Sequence, residues 1–126
     1  MSTDAWRYIG RRNRVRAMDD GFNGLGRYAG PATLVLSSLA GGPKHGYALI
    51  KDIEAFAGVA LGPGTLYGAL SRLEARGLIE AMGAEGRRRP YRLTDGGRVA
   101  LRTQLDGQRR IAEVGLRRLS VAGAAP

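Results

Sequence analysis

Glycine and proline cut residues 31–77 into three short stretches, and this punctuation limits the fold more than any other feature of the chain. Pro31 stands where a first helical residue belongs, because its fixed φ and missing N–H cost little there. Leu34, Val35, Leu36 and Leu39 follow, and Gly41-Gly42-Pro43 stops the helix. A second helix starts near Lys44 or His45 and carries Leu49, Ile50, Ile53, Phe56 and Ala57 at helical spacing, until Gly58 breaks it. Pro63 opens a third helix that reaches about Arg76, with Gly77 in the usual place just past a helix end. The period then changes. Leu78 to Ala81 reads as a short strand, Gly83 to Arg89 as a turn, and Tyr91-Arg92-Leu93 as the returning strand. Thr94 or Asp95 can cap a last helix to about Ser120, with apolar positions Leu101, Leu105, Ile111, Ala112, Leu116 and Leu119.

This order predicts a mainly α protein with a small β-hairpin, a winged helix-turn-helix followed by a C-terminal dimerisation helix. The chain divides into a basic, partly disordered N-terminal arm (1–30), a DNA-binding winged domain (31–93), a dimerisation helix (94–120) and a disordered tail (121–126). In the arm, Arg7, Arg11, Arg12, Arg14 and Arg16 mix with Trp6, Tyr8, Phe22 and Tyr28 without sustained periodicity. The arm reads equally as a minor-groove element or as a solubilising tail.

Charge narrows the partner. The 126 residues hold 20 Lys+Arg against 11 Asp+Glu, a formal +9, and only Lys44 and Lys51 are lysines. Nucleic acid is the commonest partner of such a balance and an anionic membrane surface the second, whereas GC-rich coding would also enrich Arg, Gly and Ala. The charge is spread evenly: residues 1–30, 31–93 and 94–126 each carry +3. Its location within each segment therefore matters more than its sum. Zero cysteines and one histidine remove disulfides, thiolate nucleophiles, Cys- or His-based metal sites and most hydrolytic triads. No nucleophile, base and orienter cluster is visible, so an enzyme is not expected, and neither is a cofactor or a metal. No apolar run nears the roughly 18–20 residues that span a bilayer, and the N-terminus has no apolar signal core. A cytoplasmic protein with no membrane partner is expected.

Projected at about 100° per residue, the third helix has two faces. Leu66, Leu70 and Leu73 share the core side. Gly64, Thr65, Gly68, Ser71, Arg72 and Ala75 lie opposite, with Tyr67 flanking. That second face is small, polar or basic and has no acid, as entry into a major groove about 12 Å wide requires. An ordinary solvated face would favour better helix formers than glycine, which costs roughly 1 kcal/mol inside a helix. Close approach to a partner, or packing on the second helix, would account for the glycines. Arg87, Arg88 and Arg89 sit at the hairpin tip before Pro90. They are either a solvated charge run or a wing lying along DNA.

Several blocks together resemble the PadR family of transcriptional regulators: Pro43-Lys44-His45-Gly46-Tyr47, Gly62-Pro63-Gly64-Thr65-Leu66-Tyr67, Gly77-Leu78-Ile79, and Gly86-Arg87-Arg88-Arg89 with Tyr91-Arg92-Leu93-Thr94. The resemblance runs from about Pro31 to Leu101. It implies a dimer that binds operator DNA, usually as a repressor, with Lys44, His45, Tyr47, Thr65, Tyr67, the wing arginines and the adjoining Tyr91 at or near the DNA. His45 is either structural at a helix start or a phosphate contact. Some family members release DNA on binding phenolic acids or hydrophobic drugs, which makes a small hydrophobic or phenolic effector a candidate partner. The chain departs from the family by its short C-terminal region, a single helix, and by the extra residues 1–30.

Leu105, Ala112 and Leu119 recur at seven-residue spacing in the last helix, flanked by Leu101 and Leu116, with Gln108 and Gly115 interrupting the seam. This stripe is expected to pack on a second copy of the chain, the alternative being a cap on the domain's own core. No aromatic lines it, so nothing in the helix favours a planar drug. The resulting expectation is a homodimeric, sequence-specific repressor on a pseudo-palindromic operator. The alternatives are a winged-helix protein-interaction module or a non-specific architectural nucleic-acid-binding protein.

Overall fold

The structure, a computed structural model, describes residues 22–83 and 89–124. A 3-10 turn (Gly26–Tyr28) leads directly into helix α1 (Ala29–Leu39). Helices α2 (Gly46–Ala57) and α3 (Pro63–Ala75), strands β1 (Ile79–Ala81) and β2 (Tyr91–Leu93), and helix α4 (Asp95–Ala124) follow. The helix-helix-helix-hairpin-helix order read from the sequence is the order observed.

The punctuation works as expected, with one shift. Helix α1 begins at Ala29, so Pro31 lies inside its first turn, where an N–H would have no intrahelical acceptor anyway. Pro63 is the first residue of α3. That helix closes at Gly77 (φ +73°), where Leu78 N–H donates to Leu73 O at 3.0 Å and Gly77 N–H to Glu74 O at 3.0 Å. This pair of bonds satisfies two of the terminal carbonyls and needs the left-handed residue that glycine supplies. Thr94 then caps α4. Its Oγ1 accepts from Gly97 N–H at 3.0 Å and donates to Gly77 O at 2.7 Å, which ties the start of α4 to the end of α3.

One core gathers every element. Val35, Leu36 and Leu39 from α1 meet Leu49 and Ile53 from α2 and Leu66, Leu70 and Leu73 from α3. Ile79 and Leu93 face each other across the ladder, with Glu80 opposite Arg92 and Ala81 opposite Tyr91. A single bridge extends the sheet: Lys44 N–H donates to Tyr91 O at 3.1 Å, and Tyr91 N–H to Lys44 O at 2.9 Å. The turn before α2 is thereby stitched to the wing.

Three expectations change. The folded core takes in Phe22 and Leu25, which lie inside the stretch assigned to the arm. Leu101, placed in the dimer seam, is 6% exposed and packs in the chain's own core, since the first turns of α4 lie against α1 and β2. The helix also continues to Ala124, past the end expected at about Ser120 and into the segment read as a disordered tail. Residues 1–21, 84–88 and 125–126, with Arg87, Arg88 and most of the arm among them, lie outside the described residues.

Candidate nucleic-acid interface

Helix α3 presents two chemically distinct sides. Leu66, Leu70 and Leu73 are fully buried, whereas Gly64, Thr65, Tyr67, Ser71, Arg72 and Ala75 are exposed. The small polar face inferred from the helical projection therefore points out of the core. Gly64 has open space where a Cβ would stand, so no packing among the described residues requires glycine there. Gly68 differs. A Cβ on it would come within 2.8 Å of Tyr28 Cε1, because the Tyr28 ring lies on that part of the helix. The intramolecular neighbour that requires glycine at 68 is thus a ring from the N-terminal turn rather than α2.

Tyr28 also meets Arg72. The guanidinium carbon of Arg72 lies 3.9 Å from the ring centroid, and its Nη1 donates to Gly68 O at 3.1 Å. On the other side Arg27 stands 5.2 Å from the same centroid and donates from Nη2 to the Tyr28 hydroxyl at 3.3 Å. The Arg27 hydrogen bond and charge, with the Arg72 charge adding to them, hold the Tyr28 phenol below the usual tyrosine range, against a smaller opposing effect of burial. A cleft of about 450 Å³ opens beside them, lined by Arg27, Tyr28, Gly64 and Thr65. Nothing in the first 30 residues of sequence signalled this. Tyr28 is one aromatic among several, and its partners lie some forty positions away.

The residues before and within α2 divide into supports and exposed groups. Lys44 Nζ donates to Ser38 O at 2.6 Å and Gly42 O at 3.3 Å and lies 3.9 Å from Asp52 Oδ2. Ser38, itself buried, donates to the same Asp52 oxygen at 2.6 Å. The Lys44 ammonium is thus spent on fixing α1 against α2. His45 is the residue before α2, half-buried, with extended backbone and no side-chain capping bond. Tyr47 is two-thirds exposed, with Lys51 Nζ 5.8 Å from its ring centroid. Tyr67 leans over Gly46, where a Cβ would meet its ring and hydroxyl, and is otherwise half-exposed. Tyr47 is the more open of the two, whereas the Tyr67 hydroxyl lies against Gly46.

The wing separates likewise. Tyr91, expected near DNA, is buried in the core, because the strand alternation turns Tyr91 and Leu93 inward and Arg92 outward. Arg92 is neutralised by Glu80 directly across the ladder. Arg89 is exposed beyond the ladder, which Met82 N–H extends by donating to Pro90 O at 2.8 Å. Arg27, Arg72 and Arg89 make no salt bridge among the described residues.

Three helices and a two-stranded hairpin on one core, with the third helix exposed along a small basic face, define a winged helix-turn-helix protein. Residues 35–103 match the model of the transcriptional regulator PadR-like family. The chain belongs to that family, as its PGTLY and RRRPYRLT blocks indicated.

Solved structures agree. A PadR family transcription regulator from Clostridium difficile R20291 is 30% identical, with a TM-score of 0.63 over 70% of this chain and 96% of that one. A transcriptional regulator from Clostridium thermocellum is 30% identical, with a TM-score of 0.60 over 68% and 89%. A PadR-like transcription factor from Bacteroides fragilis, 22% identical with a TM-score of 0.64 over 72% and 91%, shares the fold. Among curated proteins, an uncharacterized 37.1 kDa protein of transposon TN4556 from Streptomyces fradiae is 48% identical over 79 residues. The match takes in 63% of this chain but only 23% of that larger protein.

Proposed function

We propose that the chain is a cytoplasmic, homodimeric transcriptional repressor that binds a pseudo-palindromic operator in double-stranded DNA. The observation that carries this reading is the outer face of α3: Gly64, Thr65, Ser71 and Arg72 are exposed, small or cationic, with Arg27 lining the cleft at Gly64 and Thr65. Thr65, Ser71 and Arg72 read base edges in the major groove. Tyr47, Tyr67 and His45 contact the backbone at the start of the two helices, and Arg87, Arg88 and Arg89 follow the backbone from the wing. Lys44 acts by holding the turn before α2.

The second copy docks on α4. Thirty residues make a helix about 45 Å long. Beyond Leu101 it leaves the core, exposing Leu105, Ile111, Leu116 and Leu119, the last two by more than two-thirds. Leu105, Gln108, Ala112, Leu116 and Leu119 form the seam, and pairing it removes this apolar surface from water. A twofold dimer would set two α3 helices about 34 Å apart, one turn of B-DNA. A small hydrophobic or phenolic effector would enter the cleft of about 330 Å³ between the end of α1, β2 and α4. Leu93, Leu101 and Leu105 line it together with Arg98, Arg102 and the Asp106–Arg109 pair.

Selection of duplexes from a random library, followed by gel shift with scrambled competitor and a salt titration, tests the reading. Selective binding whose affinity falls steeply with salt is expected, with a slope that reports several phosphates. Equal affinity for scrambled DNA would leave only an architectural or protein-binding role.

A further inference from the structure

We infer that Tyr28 is a positioning residue for nucleic-acid recognition: seated on Gly68, it holds the Arg72 guanidinium in place on the reading face of α3. The inference rests on the proposed DNA-binding role of α3 and adds to the interface a residue from outside the helix-turn-helix.

An arginine side chain loses much rotamer entropy when it is fixed, which a base contact must offset unless the group is already ordered. Arg72 is exposed, and no carboxylate among the described residues pairs with it. Two other contacts order it instead. The guanidinium carbon lies over the Tyr28 ring, 3.9 Å from the centroid, and one N–H is bonded to Gly68 O. Arginine has five donors, so the remaining ones stay free for a paired contact to a guanine edge or a phosphate.

The seat is specific. Tyr28 reaches α3 only because position 68 has no side chain: a Cβ there would lie 2.8 Å from Cε1 and 3.1 Å from the hydroxyl. The turn that carries the ring is itself anchored, by Leu25 in the core and by Arg76, the residue that follows α3, which donates to Asn23 O at 3.4 Å. Glycine is a poor helix former, and here it admits a ring that organises an arginine one turn further along. Arg27, beside the Tyr28 hydroxyl and facing the cleft at Gly64 and Thr65, extends the same cationic surface.

The test is a double-mutant cycle read in DNA affinity, using the full chain and the best duplex that the wild type selects. Tyr28→Leu should weaken binding roughly fivefold, the scale of a partly exposed cation–π contact. The same change in an Arg72→Ala background should cost nothing further, and Tyr28→Phe, which keeps the ring, should bind as the wild type does. In the free protein the Arg72 Nε–H resonance should carry a ring-current shift in the wild type and in Tyr28→Phe, lost in Tyr28→Leu. Equal losses with and without Arg72, or an Arg72 resonance indifferent to Tyr28→Leu, overturn the inference while leaving DNA binding intact. A wild type that selects no duplex overturns it together with the reading of α3 on which it rests.

Discussion

Glycines at four positions show how differently one residue type is used. A Cβ on Gly97 would lie 2.1 Å from Leu78 O and 2.8 Å from Leu93 Cδ1, a backbone clash that cannot relax cheaply. Gly97→Ala should lower stability by about 1–3 kcal/mol in thermal or denaturant unfolding. Gly64 has open space, so Gly64→Ala should raise helix stability by up to roughly 1 kcal/mol while weakening DNA affinity. A gain in both would mean that the start of α3 does not approach a partner closely. Gly46 and Gly68 each accommodate a tyrosine ring, Tyr67 and Tyr28.

Tyr28 makes a pH prediction as well. Its phenol is held low first by the Arg27 hydrogen bond, then by the Arg27 and Arg72 charges. The folded chain therefore favours the phenolate more than the unfolded chain does. The resulting stability is present above the ordinary tyrosine range near pH 10 and is lost as pH falls through the lower, folded value. In an absorbance titration one tyrosine should ionise early, and Arg27→Ala should delay it more than Arg72→Ala. An unchanged profile in both variants would contradict that assignment.

At the scale of elements, legibility followed periodicity and punctuation. Helices α2 and α3 were readable because Gly58, Pro63 and Gly77 bound them and their apolar residues repeat every three or four positions. The 3-10 turn was not readable. Phe22 and Leu25 enter the core singly, on a stretch too short to show any period. Arg92 was legible as part of the returning strand but not as the partner of Glu80, because that pairing depends on strand register, which a sequence with a long turn does not fix. Leu101 and Leu105 read as one seam for a similar reason. They are neighbours on the helix, but the core ends between them: Leu101 is buried and Leu105 is 39% exposed. Thr94 joins two elements, so Thr94→Ala should cost about 1–2 kcal/mol through the lost cap of α4 and the lost bond to Gly77 O. An unfolding midpoint equal to that of the wild type would mean that solvent replaces both bonds without loss.

For the whole molecule, the +9 net charge proved less telling than which cations are free. Lys44 is consumed by Ser38, Gly42 and Asp52, Arg92 by Glu80, and Arg109 by Asp106. Arg27, Arg72 and Arg89 are among the cations without carboxylate partners in the described residues, as are Lys51, Arg76 and five arginines of α4. The apolar surface divides the same way, with the winged core self-sufficient and the far half of α4 uncovered. Leu116→Lys together with Leu119→Lys should therefore yield a folded monomer by light scattering, with a helical content close to that of the wild type. A dimer that survives both charges would move the interface elsewhere. The most direct test of the central claim is the affinity of the purified protein for its selected duplex against a scrambled duplex of equal length, measured across a salt series. The account predicts at least a thousandfold preference, the lower range for specific over non-specific sites, and two half-sites about one helical turn apart. Equal binding to both duplexes, with the same salt slope, would contradict it.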